Sequence, residues 1–200
     1  MRRGPNLRHL QHLIATQGDK PAYKQLFMHF FPRIRNFVLQ MTGSNETAEE
    51  LAADALLQVW LRREELPEID NLSAWLYAIA RNAALNVLNK PQRTNLFFLD
   101  LTDTVYRLQV RDPEQELIYK ESLNRINEAI AALPPRCKMI FRLVREDGLS
   151  YKEVAGILNI SVNTIDAQMA IAVKRIMKKA GLAKTRSGGI TRIIPLRKKS

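Results

Sequence analysis

The sequence predicts an all-α protein made of two small helical domains joined by a linker. Three observations carry this expectation. Apolar side chains recur every three or four residues along most of the 200-residue chain, with no convincing alternating stretch. Between Gln92 and Pro113 that periodicity lapses into Thr, Asn and Asp, and loops of this length are uncommon inside one compact domain. Charge also divides unevenly: residues 1–113 hold 14 basic and 12 acidic side chains, residues 114–200 hold 17 and 8. The expected organisation is a first domain over 18–91, a linker over 92–113, a second domain over 114–181 and a basic, flexible tail over 182–200.

The first domain opens on a stripe of Ala22, Leu26, Phe30, Ile34, Phe37 and Met41, interrupted by Pro32, which predicts a kink or two helices in series. Gly43-Ser44-Asn45 supplies a stop and a fresh N-cap. The next helix carries Glu46, Glu49 and Glu50 where the dipole favours carboxylates, and buries Ala48, Leu51, Ala52, Ala55, Leu56 and Val59 before ending near Leu61. A loop containing Pro67 follows. Ser73 then caps a third helix to about Lys90, with Leu76, Ile79, Ala80, Ala83 and Val87 inward, and Pro91 ends it. The apolar run Leu96-Phe97-Phe98-Leu99 within the linker is expected to dock.

The second domain begins with a helix from about Glu114 to Leu133 that buries Leu117, Leu123, Ile126, Ile130 and Leu133. Pro134-Pro135 restart the chain into a helix over 136–146 with Met139, Ile140 and Leu143 inward. Ser150 and Glu153 form a capping box for a short helix packed through Val154, Ala155 and Leu158. Asn159-Ile160 makes a turn, and Ser161 caps a longer helix packed through Val162, Ile165, Met169, Ala172 and Ile176.

Composition narrows the function classes. A net charge of +11 points to a polyanion, most often nucleic acid. The acidic block of Glu46, Glu49, Glu50, Asp54, Glu64, Glu65, Glu68 and Asp70 would repel DNA, so that surface is expected to meet protein. The single cysteine, Cys137, excludes an internal disulfide and fits a reducing cytosol. No apolar run approaches the roughly 18–20 residues a membrane span needs, and the N-terminus lacks the pattern of a signal peptide. A cytoplasmic protein without direct membrane insertion is expected.

Residues 150–177 have the succession of a helix-turn-helix: short capped helix, tight turn, longer helix. Asn163, Thr164, Ala167, Gln168 and Ile171 share its outer face, followed by Lys174, Arg175, Lys178 and Lys179. Gln and Asn can pair with adenine, Thr and Ala can touch a thymine methyl, and the Lys/Arg group suits phosphates. A plain helical hairpin with a solvated basic face remains open, and Asp166 counts against DNA. On the third helix of the first domain, Trp75, Asn82, Asn86 and Asn89 share a stripe, with Tyr77, Arg81 and Lys90 beside it. Aromatics among amides suit unstacked bases. A Trp75 that covers the core beside merely solvated asparagines is the alternative.

Other constellations are weak. His9 and His12 share a helix face without a third ligand, so no metal is expected. There is no phosphate-binding glycine loop and no nucleophile elbow. Cys137 is either a buried structural thiol or one acidified at a helix start. No cofactor, small-molecule substrate or catalytic activity is expected.

With both halves in view, the chain resembles the extracytoplasmic-function group of bacterial alternative sigma factors, within the sigma-70 family. Residues 48–60 (AEELAADALLQVW) resemble region 2.2 and residues 74–86 (AWLYAIARNAALN) regions 2.3–2.4. LPPRC at 133–137, GLSYKEVA at 148–155 and NISVNTI at 159–165 resemble region 4, in phrasing most like the iron- and nutrient-sensing branch. The likeness covers about residues 20–180. It implies a region 2-like bundle and a region 4-like helix-turn-helix that bind core RNA polymerase and bracket a promoter. Glu50, Asp54, Leu57 and Gln58 would meet the polymerase clamp helices. Trp75, Tyr77, Arg81, Asn82 and Asn86 would hold the opened −10 element. The −35 element would be met by Arg136, Lys152, Ser161, Asn163, Thr164, Ala167, Gln168, Ile171, Lys174 and Arg175. The family is often held inactive by an anti-sigma factor, a further implied partner. Asp166 and Gln168 depart from the family's pattern, where basic residues are common, which implies altered −35 reading.

Two other readings stand beside this one. An ordinary helix-turn-helix regulator would use its first domain to sense a ligand or dimerise. A small nucleic-acid-processing enzyme would need an acid–base or metal cluster that the sequence does not supply.

Overall fold

The computed structural model describes residues 5–88 and 124–180, which form two compact units. The linker, the beginning of the next helix, Asn89, the Leu96–Leu99 run and the basic tail lie outside the described residues.

The first unit contains α1 (Leu7–Gln17), α2 (Lys20–Thr42), α3 (Asn45–Leu61), a 3-10 segment (Arg63–Glu68) and α4 (Leu72–Leu88). Each start has a local cause. The side chains of Asn6, Asp19 and Ser44 accept from the backbone N–H three residues ahead, satisfying donors that a helix start leaves open. Gly43 ends α2 at φ 72°, a left-handed conformation that costs glycine little, and the chain turns at once into α3.

All six positions of the α2 stripe and all six of the α3 stripe are buried, and α2 packs against both α3 and α4. Burying a leucine such as Leu26, Leu56 or Leu76, each 0% exposed, contributes roughly 1.5–3 kcal/mol. Pro32 does not split α2. Beside the proline, which cannot donate to the helix ladder, the Arg33 guanidinium donates to the carbonyl of His29.

Three further expectations are corrected. α1 joins the first unit as an element the sequence reading did not single out: Leu10 and Ile14 are buried, and the Gln11 amide donates to the carbonyls of Leu66 (3.0 Å) and Ile69 (3.1 Å). Those two carbonyls belong to the 3-10 segment and its C-cap, so the expected loop around Pro67 is ordered. α4 is capped by Asn71, whose side chain accepts from Ala74 N–H at 3.1 Å; Ser73 lies inside the helix, 5% exposed. Starting the helix at Leu72 puts that 2%-exposed leucine into the core. The buried face of α4 is then Leu72, Leu76, Tyr77, Ala80, Ala84 and Leu88, rotated from the expected one, with Ile79, Ala83 and Val87 half-buried.

In the second unit residues 124–131 are helical (α5), followed by α6 (Pro135–Arg145) and α8 (Val162–Lys179). The short helix α7 (Tyr151–Leu158) precedes α8 in the chain, and its residues 153–158 group with the first unit. Pro135 opens α6 at a position where a missing N–H costs nothing. Ala129, Leu133, Cys137, Ala172 and Ile176 form a core, with Ile126, Ile130 and Phe141 packed around it, and α6 lies against α8. A tight turn joins α7 to α8. Asn159 makes that turn at φ 53°, and Ser161 caps α8. Val162, expected inside, is the first helical residue and 44% exposed; Ile157 rather than Leu158 is buried on α7.

Candidate nucleic-acid and polymerase interfaces

α8 carries the candidate −35 face. Ile165, Met169, Ala172 and Ile176 anchor its inner side at steps of four, three and four. This leaves Asn163, Ala167, Ile171, Lys174 and Arg175 exposed, with Thr164 and Gln168 half-buried. Asp166 is exposed on the same helix. Ser161 Oγ accepts from Thr164 N–H at 3.1 Å and is 2.8 Å from Thr164 Oγ1, so both hydroxyls are engaged in fixing the start of the helix. Arg136 at the start of α6 and Lys152 on α7 are exposed.

Beneath this face lies Cys137. Its thiol is 1% exposed and donates to the backbone carbonyl of Gln168 at 3.3 Å, tying α6 to the middle of α8. Burial pushes the thiol pKa up, against a smaller downward pull from Arg175. A sealed thiol bonded to a backbone carbonyl fits the structural rather than the acidified alternative.

The α4 stripe is presented in part. Asn82 and Asn86 are exposed, Trp75 and Arg81 half-buried, and Arg81 donates to Asn82 Oδ1 at 3.4 Å. Tyr77 is the correction. It is 2% exposed and meets Phe37 edge-on, centroids 5.1 Å apart and planes at 76°, so its ring belongs to the core. The apolar content of α4 all round its axis hid this rotation from sequence reasoning.

Sequence reasoning also missed Arg62. Its guanidinium lies 5.5 Å from the centre of the Trp75 ring while pairing with Glu65 through Nε at 3.1 Å to each carboxylate oxygen and through Nη2. The hydrogen bond between them raises the Arg62 pKa and lowers that of Glu65. The three-residue Arg–Glu spacing was a visible signal, but the approach of the guanidinium to Trp75 was not.

The candidate polymerase face is the outer side of α3. Glu50, Asp54, Leu57 and Gln58 fall on one stripe; Glu50 and Asp54 are exposed, Leu57 is 45% exposed and Gln58 half-buried. Leu61, one turn beyond Leu57, is 60% exposed and extends the apolar part. Arg35 pairs with Glu49 at 3.0 Å and Asn45 at 2.9 Å at the edge of this face. An acidic helix with two exposed leucines suits a basic, partly apolar protein surface.

Among the described residues no single helix is long and apolar enough to cross a membrane, and no three His, Cys, Asp or Glu side chains cluster to hold a metal ion.

Comparison with known proteins agrees with this arrangement. Residues 26–94 match the Sigma-70 region 2 family, and residues 123–176 match Sigma-70, region 4. The chain is 25% identical over 173 residues to the ECF RNA polymerase sigma factor RpoE of Cereibacter sphaeroides, covering 84% of this chain and 91% of that protein. It is 27% identical over 164 residues to the ECF RNA polymerase sigma factor SigW of Bacillus subtilis, covering 78% and 87%. Its fold resembles that of the sigma factor RpoE from Bartonella quintana, solved with the anti-sigma factor NepR, at TM-score 0.50 and 22% identity over 81% of this chain and 98% of that one. A region 2 match over the N-terminal helices does not favour a ligand-sensing or dimerising domain there. The chain belongs to the sigma-70 family, in the extracytoplasmic-function group of RNA polymerase sigma factors.

Proposed function

We propose a division of labour by which this alternative sigma factor binds core RNA polymerase through α3, holds the opened −10 strand on α4 and reads the −35 duplex with α8. What supports this reading is the succession, in one chain, of a region 2 match and a region 4 match, each over helices whose polar faces point outward. Glu50, Asp54, Leu57 and Gln58 meet the polymerase. Trp75 supplies a stacking face for an unpaired base, while Arg81, Asn82 and Asn86 reach base edges or backbone. Tyr77 supports the site from the core without touching DNA.

On the duplex, Asn163, Ala167, Gln168 and Ile171 face the groove. Lys174 and Arg175, with Arg136 and Lys152, neutralise phosphates, and Ser161 with Thr164 fixes the helix start. The polar reader Gln168 and the carboxylate of Asp166 make this face weakly charged, so its affinity rests on the flanking lysines and arginines. The protein performs no catalysis of its own, uses no cofactor, and works in the cytoplasm, where polymerase and promoter meet. The likeness to a sigma factor solved with its anti-sigma partner suggests regulation by such a protein. The domain limits follow the same reading: 18–91 for polymerase and −10 contacts, 92–113 as connection, 114–181 for the −35 element and 182–200 as a basic tail.

Transcription of genomic fragments by purified core polymerase, with and without this protein, tests the proposal. New transcripts sharing upstream elements are expected; absence of both transcripts and a copurifying complex would overturn it. Trp75→Ala with Asn82→Ala should leave the polymerase complex intact and abolish permanganate reactivity of promoter thymines. Unchanged reactivity would remove the −10 assignment.

A further inference from the structure

The geometry points to Arg62 as a nucleotide-contacting residue of the −10 site, held by Glu65 as a removable cover on Trp75. This inference rests on the reading of α4 as the −10 surface. Arg62 follows α3, and its backbone is fixed from both sides: its N–H donates to Gln58 at 2.9 Å and its carbonyl accepts from Glu65 N–H at 3.0 Å. Its side chain is 46% exposed and that of Glu65 51%, so the pair lies where an incoming strand can reach it. In the resting arrangement the planar guanidinium lies over the indole, with one edge engaged by the carboxylate. An exposed cation over that ring covers a face that solvent, and therefore a base, would otherwise reach.

A guanidinium 5.5 Å from the indole centre stands on the side of the ring from which an unstacked base would approach. The surrounding charges decide how it leaves. On the same segment Glu64 is exposed and lies 4.0 Å from Arg63, and Glu68 is exposed, so the charges around Arg62 are mixed and Glu65 is the carboxylate that holds it. A phosphate competes for the same guanidinium edge that Glu65 holds, because both oxyanions match its fork geometry. An exposed ion pair is weak, so the exchange is easy. The approaching strand takes Arg62 from Glu65, and the freed indole face, or the guanidinium itself, receives the base. Glu65 thereby sets the threshold for strand capture.

The first test uses the full chain with Trp60→Phe, so that fluorescence reports Trp75 alone. Acrylamide quenching should rise in both Arg62→Ala and Glu65→Gln; unchanged quenching in both would show that the guanidinium does not cover the ring and would overturn the inference. The second test uses holoenzyme and a fluorescein-labelled pool of random 12-nucleotide single-stranded DNA, with binding by core enzyme subtracted. Glu65→Gln should tighten binding and Arg62→Ala should weaken it, each about fivefold, the scale of one exposed charge-assisted contact. Glu65→Gln should have no effect in the Arg62→Ala background. An equal gain there would assign the effect to net charge, and tighter binding by Arg62→Ala alone would make Arg62 an obstruction; either overturns the inference. Trp75→Ala separates the levels: if it leaves binding unchanged, the −10 reading fails, whereas a loss there with silent Arg62 and Glu65 variants sinks this inference alone.

Discussion

Two residues show how environment decides role. His29 is half-buried on α2 beside Arg33, with its ring edge-on to Phe30 at 4.9 Å. Burial, and then the Arg33 charge, lower its pKa to about 4. Between that value and the ordinary one near 6.5 the unfolded chain binds a proton that the folded chain does not, so folding stability falls as pH drops through this window. Denaturant melts at pH 7 and pH 5 should show this loss, and His29→Gln should reduce it; an unchanged pH dependence would assign the loss to other groups. Gln168, likewise half-buried, tests a neutral polar group on the outward side of α8. Gln168→Ala should relax base preference at one −35 position by roughly 1–3 kcal/mol, measured by binding to single-base promoter variants, with other positions unaffected. A uniform loss would mean that Gln168 is not a reader. Neither the packing of Tyr77 nor the contact between Arg62 and Trp75 was legible at this scale, because both depend on partners from distant turns of the chain.

At the scale of elements, α8 depends on its first turn. Ser161 and Thr164 satisfy donors there, and the helix must start at the right residue for Gln168 and Ile171 to face outward. Ser161→Ala should cost about 1 kcal/mol of stability in thermal or denaturant unfolding, with the weakened helix start lowering duplex affinity. The stripe of α3 was legible down to the buried residue and that of α2 in its main positions, since each has a polar side; Val38, Leu39 and Gln40 are buried on α2 as well, and the break expected at Pro32 does not occur. α4 was legible as a helix but not in rotation, because Trp75, Tyr77, Ile79 and Val87 make it apolar on several sides. α1 escaped notice because Leu10 and Ile14 supply few apolar anchors and its third buried residue, Gln11, is polar. The turn at Asn159 and the cap at Ser161 could be read because their chemistry is local.

At the scale of the whole molecule, charge and sequence order were the most legible features. Seventeen basic side chains against eight acidic ones over residues 114–200 pointed to a polyanion before any fold was considered. The region 2 and region 4 resemblance then gave that charge a promoter to bind. Promoter binding should weaken steeply with salt. Lys174→Ala combined with Lys178→Ala should reduce the slope of log affinity against log salt by roughly 2 and weaken all −35 sequences alike. A slope that stays the same would remove these lysines from the phosphate contacts.

The Gln11 amide, closed on the carbonyls of Leu66 and Ile69, makes α1 a splint for a segment more than fifty residues away. That segment begins immediately after Arg62, carries Glu65 and leads into the Asn71 cap of α4. Removing α1 would strip two carbonyls of a buried donor, uncover the part of α2 it packs against and loosen the stretch that aims Arg62 and Trp75. A shortened protein beginning at α2 should therefore lose stability and handle the opened strand less well. Tags and fusion partners belong at a distance from Leu7, and a defect in promoter melting that maps to the first helix has a mechanical origin rather than a missing contact.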